Sequence, residues 1–527
     1  MRPGRAALPA ALVAGLALVA GSAAPAQPLS AGSAPPAQPL SSIDWLSDSL
    51  AAPAALQPEG RPARPGTEAA LAPEVTVAPL DAPATDGVGL TEPAAAGLPA
   101  GLWGPTTTDA VARRLAGLPD QPLPAARDAL MRLLLARLDP PREGGTPGAL
   151  ALARVDTLLR WGALDEAAAL IEAAGTDRPE LFRRAFDIAL LQERENAACA
   201  RLRRAPGIAP SIPVRIFCLA RSGDWAAAAL TLDSAEALGE LAPAEEALLA
   251  RFLELDDGSG LLPPSPPRPE VTPLAWRMLE AIGERRPTAG LPLAFAHADL
   301  RPTAGWKARL EATERLVRAG ALPPGRIAEV YAERAPAASG GVWDRVAAIR
   351  ALERALAGED AEEIARRLDS AWEAMRAAGL GPAFAALYAP RLSALELPGP
   401  AGRLAHRLAL LGPGYEAAAL DAPADADPLA VALARGLAPA APPRRPLPAA
   451  LAAAFTPPAP PAPAPLARLK REGRLGEALL AALGTVSGGA RADPADLTGA
   501  LVFLRDAGLE ETARRAALQI YLLGAGA

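Results

Sequence analysis

The chain has 527 residues, half of them hydrophobic but only 4% aromatic, and a formal charge of −6. That length accommodates two to four domains with sizeable cores, and an apolar content made mostly of Ala and Leu favours closely packed helices over sheets. The negative charge argues against nucleic acid or an anionic membrane as the main partner.

Arg2 and Arg5 precede an apolar run from Ala6 to Ala20, and Ala24-Pro25-Ala26 offers a small-x-small cleavage pattern. Residues 1–26 therefore read as a signal peptide, and its removal makes the chain two charges more negative. No second stretch of the ~20 residues that span a bilayer is free of both charges and repeated prolines, so no transmembrane anchor is expected after processing. Export, to a periplasmic location, is the expectation.

Residues 27–105 read as a mostly disordered leader. "AQPLS" occurs at Ala26–Ser30 and again at Ala37–Ser41, and such low-complexity sequence cannot bury enough surface to offset its ordering entropy. Within it, "SSIDWLSDSL" at 41–50 stands out. Ser42 can cap a short helix in which Ile43, Leu46 and Leu50 share one face beside Trp45, with Asp44 and Asp48 outward. One or two turns are unstable alone, so the segment needs a surface, either on a partner or on this chain's own helices.

Helical periodicity begins at "GPTTTDAVARRL", with Thr107 or Thr108 as N-cap, and continues through residues 106–260. The linker "LLPPSPPRPE" (261–271) breaks the pattern, a second helical block covers 272–436, and a proline-rich stretch (437–465) reads as extended apart from a turn at "LPAALAAAF". Residues 466–527 give two helical hairpins. Short turns between helices imply antiparallel neighbours. Cys199 and Cys218, on consecutive predicted helices, are natural disulfide partners in an oxidising compartment, with two buried thiols as the alternative.

Four turns share one frame: Leu158-x3-Gly162-x4-Ala167, Leu219-x3-Gly223-x4-Ala228, Leu469-x3-Gly473-x4-Ala478 and Leu504-x3-Gly508-x4-Ala513. Leu ends one helix, Gly permits a left-handed turn, and the later Ala lets the next helix approach closely. The frame resembles the helix-turn-helix unit of tetratricopeptide repeats over about a quarter of the chain, without the fuller aromatic and proline pattern. The resemblance implies an all-α fold of helical hairpins stacked as a solenoid, a shape that presents extended surfaces to peptides or protein segments.

Catalytic chemistry is not visible. His297 and His406 are the only histidines. Neither lies in a metal-ligand spacing, and both read as surface or groove-edge residues. There is no Gly-x-Ser-x-Gly elbow, phosphate loop or dinucleotide fingerprint; carboxylate runs such as "GEDAEEIARR" read as solvated helix faces, and "DGSG" is too short for a calcium loop. No catalytic residue, metal or cofactor is expected. The helical blocks are also similar in kind to the ring of helical hairpins in soluble lytic transglycosylases, but the last block lacks the Glu-Ser motif of their catalytic acid. The expectation is a non-enzymatic scaffold or adaptor acting on a periplasmic or envelope protein. Its alternatives are a non-catalytic relative of that ring, for which a glycan strand is a possible ligand, and a structural part of an envelope or motility machine.

Overall fold

The computed structural model describes residues 85–175, 178–253 and 271–524. Among them every regular element is helical, and the one strand-like feature is an isolated parallel bridge between Thr91 and Ala136. The expectation of an all-α chain holds. The segment 41–50, with Ile43, Trp45, Leu46 and Leu50, lies outside the described residues, as does the signal sequence.

A 3-10 turn (Thr85–Gly87) and a short helix α1 (Pro93–Ala96) lead into α2 (Thr108–Ala116), α3 (Pro124–Leu135), α4 (Ala149–Arg160) and α5 (Leu164–Ala174). Thr107 caps α2, its hydroxyl accepting from Ala110 N at 3.1 Å. Residues 85–105, assigned by composition to the leader, are instead packed. Leu102 and Trp103 are 1% exposed, and the buried carboxylate of Asp86 accepts from Gly148 N (2.8 Å) and Ala151 N (3.0 Å), capping α4 from more than sixty residues away. Low-complexity composition misleads here because a few anchoring side chains suffice to order a segment against an existing surface.

Next come α6 (Pro179–Leu191), α7 (Glu195–Arg204), α8 (Ile212–Arg221), α9 (Trp225–Ala237), α10 (Pro243–Phe252) and α11 (Pro273–Ala281). Cys199 on α7 and Cys218 on α8 form a disulfide with Cα atoms 5.1 Å apart. It sits in a core of its own, with Phe182, Phe186, Phe217 and Leu249, distinct from the main one.

The chain then continues through a 3-10 segment (Leu293–Asp299) into α12 (Trp306–Arg318), α13 (Gly325–Ala332), α14 (Val342–Gly358), α15 (Ala361–Ala377), α16 (Gly381–Leu392), α17 (Gly399–Leu411), α18 (Tyr415–Leu420) and α19 (Pro428–Arg435). It ends in α20 (Pro446–Ala453), α21 (Ala464–Arg471), α22 (Leu475–Ser487), α23 (Pro494–Asp506) and α24 (Glu510–Gly524). The proline-rich stretch thus holds a full helix, α20, where the sequence suggested a turn. Its Leu451 and Ala452, with Phe455 just beyond, are buried, and α20 packs on α23. Apolar burial outweighs the local extended preference of the flanking prolines.

All four frame glycines adopt the left-handed conformation, with φ between 70° and 87°. At each, the frame Leu carbonyl accepts from the residue after Gly (Leu158 from Ala163, Leu219 from Asp224, Leu469 from Arg474, Leu504 from Leu509), the six-to-one bond of a Schellman turn. Ala167, Ala228, Ala478 and Ala513 are all fully buried. The same turn recurs at Gly283, Gly320 and Gly379, which the frame misses because Thr288, Gly325 and Phe384 stand where Ala was required and, at Gly379, Met375 stands where Leu was.

The main core runs from Val88 to Leu522 without a break between the three sequence blocks. Its first and last helices meet at a seam where α2 and α3 pack against α22 and α24. There Gly476 N donates to Leu102 O at 2.9 Å, and a Cβ added at Gly476 would stand 2.5 Å from the Trp103 ring. Gln519 of α24 accepts from Ala125 N at 2.9 Å, capping α3, which has no side-chain cap of its own.

Arginine has a structural use throughout. Arg154 donates to Leu134 O and Ala136 O, Arg160 to Leu115 O and Ala116 O, Arg350 to Tyr331 O and Ala332 O, and Arg318 to Ala378 O. Each set of carbonyls closes a neighbouring helix, where backbone acceptors lack partners and the helix dipole is negative. A guanidinium reaches two such carbonyls at once, which an ammonium does less well.

Candidate functional site

Helix α17 is flanked by two clefts, of 710 Å3 and 610 Å3, that share Arg403, His406, Pro423 and Asp425 and so form one groove. The turns bracketing α17 create it. The segment from Ser393 to Pro398 leaves α16 without continuing it, and residues 421–427 form the far wall, with Asp427 capping α19 through Leu429 N (2.9 Å) and Ala430 N (3.2 Å). The floor is apolar, with Trp372, Leu392, Ala405 and Ala409 buried beneath it.

The rim carries six carboxylates against Arg403, Arg407 and His406. Three are engaged: Asp425 pairs loosely with Arg403 at 3.4 Å, Asp427 accepts from Tyr521 Oη at 2.7 Å, and Glu373 is bonded to Arg376 at 2.8 Å, which holds its carboxyl below the ordinary value. Asp369, Glu396 and Asp421 make no ion pair or hydrogen bond among the described residues, and all three are exposed. Arg407 is turned toward the carbonyl of Leu522. His406 Nε2 lies 3.0 Å from Ala418 O; a carbonyl can only accept, so this nitrogen carries the proton. His406 is a groove residue, as the sequence suggested.

His297 is not. Its Nε2 lies 2.7 Å from Gly162 O, and burial pushes its pKa below the ordinary histidine value. It terminates α4 at one of the frame glycines, the role arginine plays elsewhere, and sequence reading could not place it because its acceptor is 135 residues away. The glycine-rich "ASGGVWDRV" is a turn: Gly340 and Gly341 have positive φ, Gly340 N donates to Asp344 at 2.9 Å, and Trp343 packs on Trp306 with centroids 5.2 Å apart.

Of the frame glycines, Gly162 and Gly473 also meet other parts of the chain, whereas Gly223 and Gly508 have open space where a Cβ would stand. Of the residues singled out in the sequence only His406 lines the α17 groove, because exposed Asp and Glu carry no periodic signal. Among the described residues no cluster of three or more His, Cys, Asp or Glu is placed to hold a metal ion, and no helix is long and apolar enough to cross a membrane. No known protein family, curated protein or solved structure matches the chain.

Proposed function

We propose that this protein is an exported, non-enzymatic scaffold whose helical hairpins form a tetratricopeptide-like solenoid, and that the α17 groove holds a cationic, partly apolar segment of a periplasmic or envelope protein. The observation that carries this reading is the pairing of an apolar floor with three unpartnered carboxylates, Asp369, Glu396 and Asp421. Opposite charge steers a basic segment to such a rim, while the floor supplies the burial that gives affinity. The segment containing Ile43, Trp45, Leu46 and Leu50 is a second docking element of the same scaffold.

Crosslinking with mass spectrometry on periplasmic extract tests the proposal, comparing the natural chain with Glu396→Lys/Asp421→Lys. The expected result is a partner crosslinked next to α17 through a Lys- or Arg-rich segment and lost in the charge-reversed variant. A partner retained by that variant refutes the groove assignment. Repeating the capture with Trp45→Ala/Leu46→Ala tells whether the amino-terminal element engages the same partner.

A second reading has its own support. The seam joins the first helices to the last, so the helical path closes on itself, as suits a non-catalytic relative of the helical ring of a peptidoglycan-processing enzyme. Co-sedimentation with purified cell-wall sacculi, without release of soluble fragments, favours that reading.

A further inference from the structure

A smaller cleft of 270 Å3 lies along one face of α12, far in sequence from the α17 groove, and its lining includes Arg285, Arg286 and Arg315 with Asp299 and Glu311. The carboxylates are already used. Asp299 is bonded to Arg285 at 2.8 Å and to the Thr288 hydroxyl at 2.5 Å, and Glu311 pairs with Lys307 at 3.6 Å. Two guanidiniums make no ion pair among the described residues, although Asp299 and Glu311 act on Arg315 through the cleft. Arg315 donates only to the neutral carbonyls of Thr288 and Leu291, each at 2.8 Å, and the side chain of Arg286 makes no ion pair or hydrogen bond among the described residues. The cleft begins at Gly305, the N-cap of α12, which supplies no side-chain cap to the first amides of that helix.

We propose that this cleft binds a small oxyanion, a phosphate or carboxylate group held between Arg286 and Arg315. Here Arg286 has no ion pair or hydrogen bond among the described residues and lines, with Arg315, a cavity roomy enough for a tetrahedral or planar anion. Guanidinium forks match both shapes through paired N–H donors, and the start of α12 adds a favourable partial charge.

Titration calorimetry of the full chain with inorganic phosphate, at ionic strength held constant with sodium chloride, tests the site. Saturable one-site binding is expected, weakened about tenfold or more by Arg286→Gln, as suits the loss of a charge-assisted contact. The thermal midpoint without phosphate stays unchanged in that variant because Arg286 holds no internal partner. Arg315→Gln weakens binding too, with a lower midpoint because it also releases Thr288 and Leu291. Competition by acetate assigns a carboxylate, such as an acidic side chain, to the ligands the site accepts; phosphate binding that acetate leaves intact assigns it to phosphoryl groups. Phosphate affinity unchanged in Arg286→Gln, or a heat that sodium chloride alone reproduces, overturns the proposal.

Discussion

At the seam between α2 and α22 the carboxylate of Glu477 is 1% exposed and bonded to Arg114 at 2.6 Å and Arg474 at 2.7 Å, whereas on the α17 groove the carboxylates of Asp421, Glu396 and Asp369 are exposed and make no ion pair among the described residues. The residue types are the same and their consequences are opposite. A buried carboxylate with two guanidiniums is costly to break, since removing one partner strands the others. An exposed carboxylate contributes almost nothing to stability and is free to meet something else. Asp187 on α6 falls between them, buried like Glu477 but paired only with Arg183 at 3.8 Å, with one oxygen lacking a hydrogen-bond partner.

The seam is the place to break the fold. Trp103→Ala empties the space beneath Gly476, and a loss of about 3–5 kcal/mol is expected by chemical denaturation, typical of a buried tryptophan. A loss under about 1 kcal/mol would mean that the amino-terminal helices do not hold the carboxy-terminal ones.

Glu477→Gln is expected to cost about 2 kcal/mol at pH 7, because its amide cannot accept from both arginines. Burial alone would raise the Glu477 pKa; hydrogen bonds from Arg474 and Arg114 hold it below its ordinary 4.5. A depressed carboxylate pKa stabilises the fold above the unfolded-state value, and that stability is lost as pH falls through the folded value. The natural chain should therefore lose stability below about pH 4.5, and the Gln variant should show a smaller drop over the same range. Parallel curves would remove Glu477 as the acid-sensitive contact.

Asp187 gives the opposite sign. Burial raises its pKa from 3.8 to about 6, so its ionisation opposes folding: stability falls as pH rises from about 4 to 6 and is level above. Asp187→Asn should gain about 2 kcal/mol at pH 7 and nothing below pH 4, read as thermal midpoints at the two values. An equal effect at both would show that packing, not charge, decides at that site.

Smallest in stability is the groove itself. Asp369→Asn/Asp421→Asn should shift unfolding by less than about 0.5 kcal/mol while reducing capture of a basic partner. A large stability change would mean that these carboxylates are structural and the groove is a by-product of packing.

Much of the local architecture was legible. Leu158 and Gly162, and the three matching pairs, have the spacing a Schellman turn demands, and the buried Ala five residues on follows from close helix approach. Cys199 and Cys218 were pairable because neighbouring helices are also neighbours in sequence. Asp86, Gln519 and His297 were not legible: each completes the end of a helix that it meets only after folding, and nothing near Gly148, Ala125 or Gly162 in sequence announces it. The groove escaped notice for a related reason. Asp421 and Glu396 acquire meaning from being unpaired above an apolar floor, and that is a property of three-dimensional surroundings.

The sequence alone determined that this chain is helical, where most of its helices turn, and which two cysteines meet, because those outcomes rest on periodicity, glycine conformation and short-range contact. Tertiary structure alone decided that residues 85–105 belong to the fold, that the first helices close against the last, and that arginines terminate helices far from them. These rest on desolvation and on hydrogen bonds between distant groups, whose energies exist only once the chain has brought the partners together.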